Sequence, residues 1–570
     1  MKKIKENLNG LGILKILVYV FFLLFLVIPL LSIFLVSFTD EPINIFGSLI
    51  SLETLQTTIN QFQNATLDNF TAIFQNSTYF ASLKNSLYLA ITVSLIVMII
   101  CIPIAYGIAR TKMPFKKTIS ALCTIPLVIP TFISGYSFII MFGRSGWATQ
   151  IYQYFGGEGF FIDPYSMTGI AIVQIFFFFP YALWPMVAAF KVSDISLEEA
   201  SRNMGAKSWL TFSTVTMPLV IPGMLSTALV IFAVSFSDFG TPIILAPTDL
   251  NLIVVEAYRE ISGFFNWGGA AILTVVMIAI AGLAYWLQNY FTKNMNYGSV
   301  SGKPKQIKLN DNKMLTIPLF VFSSLIIIVP LLSLLTVLLQ SIATTWGRGL
   351  LPNGYTLEHY QTIFTSSLGN IQNSIVLALG ALVISVVVSA AVAYFVVRHR
   401  STALDFVTTV PLIVPGIAVG IALIQTFNTA PLQLTGTAFI LIVAYAMRRL
   451  PYMVRSTMST MKSIKADIEE AAINLGASTF TALLTVVGPL MLPGIAAGAI
   501  LVFVTVIKET SISILMAPAS WAPMSLAIFQ NVMRAEYYSA AAMSIVLVVI
   551  VIVFQLIAEK LTNRSEKKMK

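Results

Sequence analysis

The chain has 570 residues, 57% of them hydrophobic and only 10% charged, with a formal net charge of +10. A soluble domain covers its surface with roughly 25% charged residues, so a string of soluble domains is excluded and most of the surface must face something other than water. Two cysteines in apolar runs, Cys101 and Cys123, and two distant histidines, His359 and His399, offer neither a disulfide framework nor a metal centre.

The first residues, Met1-Lys2-Lys3-Ile4-Lys5, lead into an apolar run without a small-residue cleavage site. This reads as a first spanning helix rather than a removable signal. About 20 apolar residues are needed to cross a ~30 Å hydrocarbon layer. Such runs occur at 15–38, 86–109, 119–142, 168–190, 219–246 and 269–291, then at 314–340, 373–397, 406–426, 435–456, 490–517 and 539–559. They are too long for tilted strands and lack strand alternation. The expected fold is an all-α polytopic membrane protein of about twelve transmembrane helices, with the fifth span of each series broken or partly re-entrant.

Counting Lys and Arg on alternate sides, with the N-terminus taken as cytoplasmic, puts 27 inside and 5 outside. That bias predicts both termini in the cytoplasm.

The chain repeats itself. Asn85-Ser86 and Ala105-Tyr106 recur as Asn373-Ser374 and Ala393-Tyr394, offset by 288. Pro126 and Pro130 recur as Pro411 and Pro415, offset by 285; from Pro180-Tyr181 to Ala246-Pro247 the offset is 271. The first half therefore holds about 17 extra residues, mostly in an outer loop near 143–167. Each half has an even number of spans, so the two six-helix repeats have parallel topology. The expected domains are 1–292 and 314–570, joined by a Gly-, Ser- and Lys-containing cytoplasmic linker at 293–313.

The strongest local signal also occurs twice, in loops at 191–218 and 457–489. Glu198-Glu199-Ala200-Ser201-Arg202-Asn203-Met204-Gly205 continues to Pro218 and Pro222-Gly223. Glu469-Glu470-Ala471-Ala472-Ile473-Asn474-Leu475-Gly476 continues to Pro489 and Pro493-Gly494. The spacings agree throughout. A short helix starting near Asp194 or Asp467 would have an acidic N-cap and early glutamates suited to its dipole. Small residues behind them would admit a partner surface, and Gly205 and Gly476 would permit a left-handed turn where the helix ends.

These segments resemble the EAA loop of bacterial ABC importer permeases, with Ser201, Val215, Val486, Met217 and Gly488 as mild departures. The resemblance covers essentially the whole chain as a fused double permease and implies the type I importer permease fold. It implies that Glu199, Ala200, Gly205, Glu470, Ala471 and Gly476 form coupling helices that dock on a separate ATP-binding subunit in two copies. A solute-binding protein would deliver cargo from outside. The chain has no Gly-x-x-x-x-Gly-Lys-Ser/Thr phosphate loop and no catalytic constellation. It is expected to be no enzyme and to bind no cofactor or metal itself, ATP and magnesium belonging to the partner ATPase.

Few charges fall inside the spans. Asp238, in Phe236-Ser237-Asp238-Phe239-Gly240-Thr241-Pro242, aligns at offset 271 with Glu509, and Lys508 precedes Glu509. Charges at such depth face partners or water. Asp238, Lys508 and Glu509 read either as a polar gate or substrate contact on the route, or as a structural Lys508–Asp238 ion pair. The fused plan and the stretch around Asp238 look most like the ferric-iron group of permeases, which has relatives for 2-aminoethylphosphonate and hexose phosphates; thiamine permeases share the fused plan. An ion-coupled secondary transporter using the two carboxylates is the alternative from another class.

Overall fold

The computed structural model describes residues 10–39, 41–192, 195–293, 309–347 and 349–569. Most of the linker and the N-terminal lysines lie outside the described residues, as do Asp194 and Arg348. Nine described helices are long and apolar enough to cross a bilayer: Gly10–Val36, Ser77–Arg110, Met167–Lys191, Ser208–Phe236, Trp267–Thr292, Lys313–Ser341, Leu368–His399, Thr479–Ile507 and Tyr537–Ile557. Two further helix pairs, Lys116–Leu127 with Thr131–Tyr154 and Thr402–Ile413 with Gly416–Phe427, are bent by 103° and 109° and bring the number to eleven if each is one span. The twelfth expected span falls on Ala438–Ser463. It has 26 residues, enough for about 39 Å of helix, but it carries Arg448, Arg449 and Arg455 and is not apolar throughout.

The bends have a local cause. Pro130 and Pro415 stand at the caps of the second helices, and Ile129 and Val414 before them are extended. A proline's ring disfavours helical geometry in the preceding residue, so the helix stops there and restarts in a new direction. At both prolines the helix is broken rather than merely kinked.

By packing, the chain divides into two compact units, and these cut it differently from the sequence repeat. Unit one comprises Met1–Gln75, Ala257–Ile278 and Leu357–Lys570. Its core joins Val18, Phe22 and Leu26 of the first span to Val392, Tyr394, Met447, Met458 and Met491 of the second repeat. Phe25 stacks on Phe427 at 5.6 Å, and the Tyr19 hydroxyl lies 3.1 Å from Ser401 Oγ. The first helix is thus built into the second half of the chain.

Unit two comprises Asn76–Glu256 and Ala279–Thr356 and holds the reciprocal arrangement. Lys313–Ser341, the first span of the second repeat, packs on spans of the first; Ser333 Oγ donates to Met141 Sδ at 3.4 Å. The end of the linker is fixed here as well. Asn310 N donates to the Arg110 carbonyl at 2.9 Å and Lys112 N to the Asn310 carbonyl at 2.8 Å.

Within unit one, close helix packing rests on two glycines four residues apart. A Cβ at Gly494 would lie 2.3 Å from Thr460 Oγ1 and 2.9 Å from the Ser456 carbonyl oxygen; one at Gly498 would lie 2.5 Å from Met453 Sδ. Small residues at this spacing let membrane helices approach backbone to backbone, and Ser456 Oγ donates to the Gly494 carbonyl at 2.7 Å.

Of the 17 extra residues in the first half, most lie where expected. Between Phe142 and Met167 the chain has 24 residues, including a helix Trp147–Tyr154, against 10 between Phe427 and Ala438.

Candidate functional site

Both copies of the loop motif form a nine-residue helix, Ile195–Asn203 and Ala466–Asn474. The expected acidic N-cap is not what starts the second one. Lys465 occupies the cap position without a side-chain bond, and Asp467 lies inside the first turn with Glu469, where negative charge favours the helix dipole. Asp194, the corresponding expectation in the first copy, lies outside the described residues.

The helices end as the glycines demand. Gly205 and Gly476 have φ of +90° and +97°, a region costly for residues with a Cβ. Around each, two backbone bonds close the last turn: Gly205 N to Arg202 O at 2.9 Å with Ala206 N to Ser201 O at 3.1 Å, and Gly476 N to Ile473 O at 2.9 Å with Ala477 N to Ala472 O at 3.1 Å. This is the paired capping of a Schellman motif.

Beyond each loop the chain enters the next span through a π-helical turn, Phe212–Thr216 and Leu483–Val487. The two turns are equivalent positions of the repeat, immediately before Met217-Pro218 and Gly488-Pro489. A proline ring clashes with the carbonyl four residues back in an α-helix, and a widened turn moves that carbonyl away.

The two glutamates of each pair have different fates. Glu199 and Glu470 are exposed, as are Ala200 and Ala471. The same loops carry exposed apolar side chains: Met204 is 83% exposed, Trp209 76% and Leu475 90%. The preceding glutamates turn inward. Glu198 Oε1 lies 3.4 Å from Arg110 Nη2 and accepts from Thr216 Oγ1 at 2.9 Å. Glu469 accepts from the Tyr394 hydroxyl at 2.5 Å and from Arg398 Nε at 3.0 Å, and Arg398 Nη2 also donates to the Ile464 carbonyl at 2.9 Å. Sequence reasoning treated Arg110 and Arg398 as cytoplasmic charge only. Their separation of 288, shared with Tyr106 and Tyr394, was the signal that they belong to the motif.

Asp238 and Glu509 both sit in three-residue breaks between helices. Met217–Phe236 is followed by Gly240–Leu245, and Gly488–Ile507 by Ser511–Met516. The fifth spans are broken as expected. Asp238, in unit two, accepts from Gln174 Nε2 at 3.0 Å, while Gln174 Oε1 accepts from Ser235 Oγ at 2.5 Å. Glu509, in unit one and 3% exposed, accepts from Arg448 Nη1 at 2.7 Å and from Arg449. Lys508 adjoins Glu509 in the same break and is half-buried.

Gln174, Arg448 and Arg449 were missed from sequence. The two arginines were counted among inner-side charges although they fall within the run 435–456; a double arginine inside an apolar run was the available sign. Gly416 makes room for one of them, since a Cβ there would meet the Arg448 guanidinium.

The two repeats thus present matching capped loop helices, each followed by a broken span with a carboxylate in the break. The model of the family described as "Binding-protein-dependent transport system inner membrane component" matches residues 101–297 and 385–568. The chain belongs to that family and is a permease subunit of an ABC importer, with two copies of the permease domain in one polypeptide.

Among similar proteins, the ferric transport system permease protein FbpB of Actinobacillus pleuropneumoniae is 26% identical over 484 residues, 82% of this chain and 69% of that protein. A 2-aminoethylphosphonate transport system permease protein, PhnV, of Salmonella paratyphi A is 28% identical over 253 residues, 44% of this chain and 95% of that one. The crystal structure of a bacterial ABC transporter involved in alginate import aligns with a TM-score of 0.36 and 16% identity, covering 44% of this chain and 94% of that chain.

Proposed function

We propose that the chain is the fused permease of a ferric-iron importer. Its domains at 1–292 and 314–570 each contact one copy of an ATP-binding subunit on the cytoplasmic side, where both termini lie. A solute-binding protein delivers cargo from outside. ATP and magnesium act in the partner subunit, and this chain is no enzyme. Asp238, Lys508 and Glu509 line the route.

The observation that carries the coupling role is the twin geometry of the loop helices. In both copies one glutamate is tied inward while Glu199 and Glu470 face outward on loops that carry exposed apolar side chains, which is what a docking surface for another protein requires. Support for iron comes from the ferric transport permease that is similar over 82% of the chain.

Replacing Glu199 and Glu470 together by alanine should weaken retention of the ATP-binding subunit by about thirtyfold, the scale of one interface hot spot. Co-purification from native membranes measures it; undiminished retention would reject the coupling role. Uptake of radiolabelled iron by the reconstituted complex, competed by 2-aminoethylphosphonate, identifies the cargo. Iron uptake unaffected by the phosphonate supports the ferric reading, whereas phosphonate uptake in place of iron replaces it.

A further inference from the structure

We propose that Arg398 and Arg110 are positioning residues of the coupling loops, each fixing the inner glutamate so that the outer one is presented to the ATP-binding subunit. This rests on the coupling role proposed for Glu199 and Glu470.

Both arginines lie at the cytoplasmic end of the second span of their repeat, and both reach the first glutamate of the motif. Glu198 and Glu199 are neighbours on one short helix, as are Glu469 and Glu470. Successive residues of a helix point about 100° apart, so holding the inner side chain sets the direction of the outer one.

The two carboxylates are held from different elements besides the arginines. In the second copy, Arg398 bridges the Glu469 carboxylate and the carbonyl of Ile464, which lies just before the helix begins, and the Tyr394 hydroxyl binds the same carboxylate. All three bonds run to the one span Leu368–His399, so helix and span move as a single body. In the first copy Arg110 Nη2 lies 3.4 Å from Glu198 Oε1, and Thr216 Oγ1 in the π-helical turn donates to the same oxygen. There the load is divided between the span ending at Arg110 and the span beginning beyond Thr216. At Thr216's repeat position stands Val487, which cannot make that bond, so the division is particular to the first copy.

The planar guanidinium is needed at Arg398 because two acceptors are bound through different nitrogens, and a lysine offers only a point charge.

The test uses the complete importer with its ATP-binding subunits in sealed lipid vesicles, reading retained ATPase, ATP hydrolysis, and radiolabelled ferric iron transported per ATP. Arg398→Ala and Arg110→Ala should each retain the ATPase yet lower transport per ATP by about tenfold. Arg398→Lys should fall between the alanine variant and the native protein. The charge exchange of Arg398→Glu with Glu469→Arg should recover part of the loss.

A native transport-to-hydrolysis ratio in Arg398→Ala with the ATPase still bound would overturn the proposal. So would loss of folded protein in that variant that neither the lysine variant nor the exchange relieves, since the pair would then serve the fold alone. If the unaltered chain retains no ATPase, the coupling reading itself fails and this one falls with it; ATPase retention in the unaltered protein separates the two failures.

Discussion

Glu509→Ala should lose most of its folded protein on extraction into mild detergent, measured as a monodisperse peak and its melting temperature. The Glu509 carboxylate is 3% exposed and accepts from Arg448 at 2.7 Å and from Arg449. Its removal leaves two guanidinium groups in a buried site without the charge they flank. Breaking a buried ion pair from one side costs about 3–5 kcal/mol, against a total stability of about 5–15 kcal/mol for an ordinary domain. Glu509→Gln should fall in the same direction by less, since it keeps the volume and one acceptor.

The informative companion is the apolar replacement Arg448→Met, Arg449→Met and Glu509→Leu, which removes all three charges together. Apolar groups of similar volume commonly match a buried ion pair in stability, so the triple variant should recover most of the melting temperature. If it does so and still fails to transport, the charges serve the route. Were Glu509→Ala to melt with the native protein, the cluster would contribute nothing to the fold.

Gly498→Leu is the second large expected loss. The position has no room: a single Cβ would lie 2.5 Å from Met453 Sδ and 3.0 Å from Met453 Cα, and the backbone atom cannot swing aside. Overpacking of this kind costs about 1–3 kcal/mol even where the backbone yields. Here the two helices would also separate at Gly494, breaking the bond from Ser456 Oγ. Gly498→Ala should be milder, because the Met453 thioether is flexible and can give way. Thermal unfolding of the pair should place leucine well below alanine; equal melting points would mean that this contact is not close in solution.

Much of the organisation was legible because it rests on strong local chemistry. Runs of about 20 apolar residues mark the spans, and Gly205 and Gly476 mark the ends of the loop helices, whereas the breaks at Pro130 and Pro415 were not read from the prolines alone. What escaped depends on partners distant in sequence. Apolar helices carry little information about which neighbour they will choose, since lipid and protein interior are nearly alike to them. The placement of Val18, Phe22 and Leu26 among residues of the second repeat could therefore not be read from composition. Likewise, adjacent glutamates on a short polar helix give no periodicity from which to tell the inward one from the outward one. The deciding residues were Arg110 and Arg398, about 88 and 71 positions away from Glu198 and Glu469 respectively.

Placing the first helix in a unit formed largely by the second repeat has a consequence for biogenesis. Tyr19 and its neighbour Ser401 are 382 residues apart. At roughly 5–20 residues per second, about 20–75 s of synthesis separate them. During that interval the first span sits in the bilayer without its native packing partners, held only by the lipid or by the insertion machinery. Domain-by-domain maturation, in which a first half is finished before a second begins, is therefore closed to this chain. A fragment of residues 1–297 made alone should be short-lived in pulse-chase, and co-expression of residues 309–570 should prolong its life. Keeping both halves on one polypeptide guarantees that the late partner arrives in the same membrane, at one copy for each waiting helix.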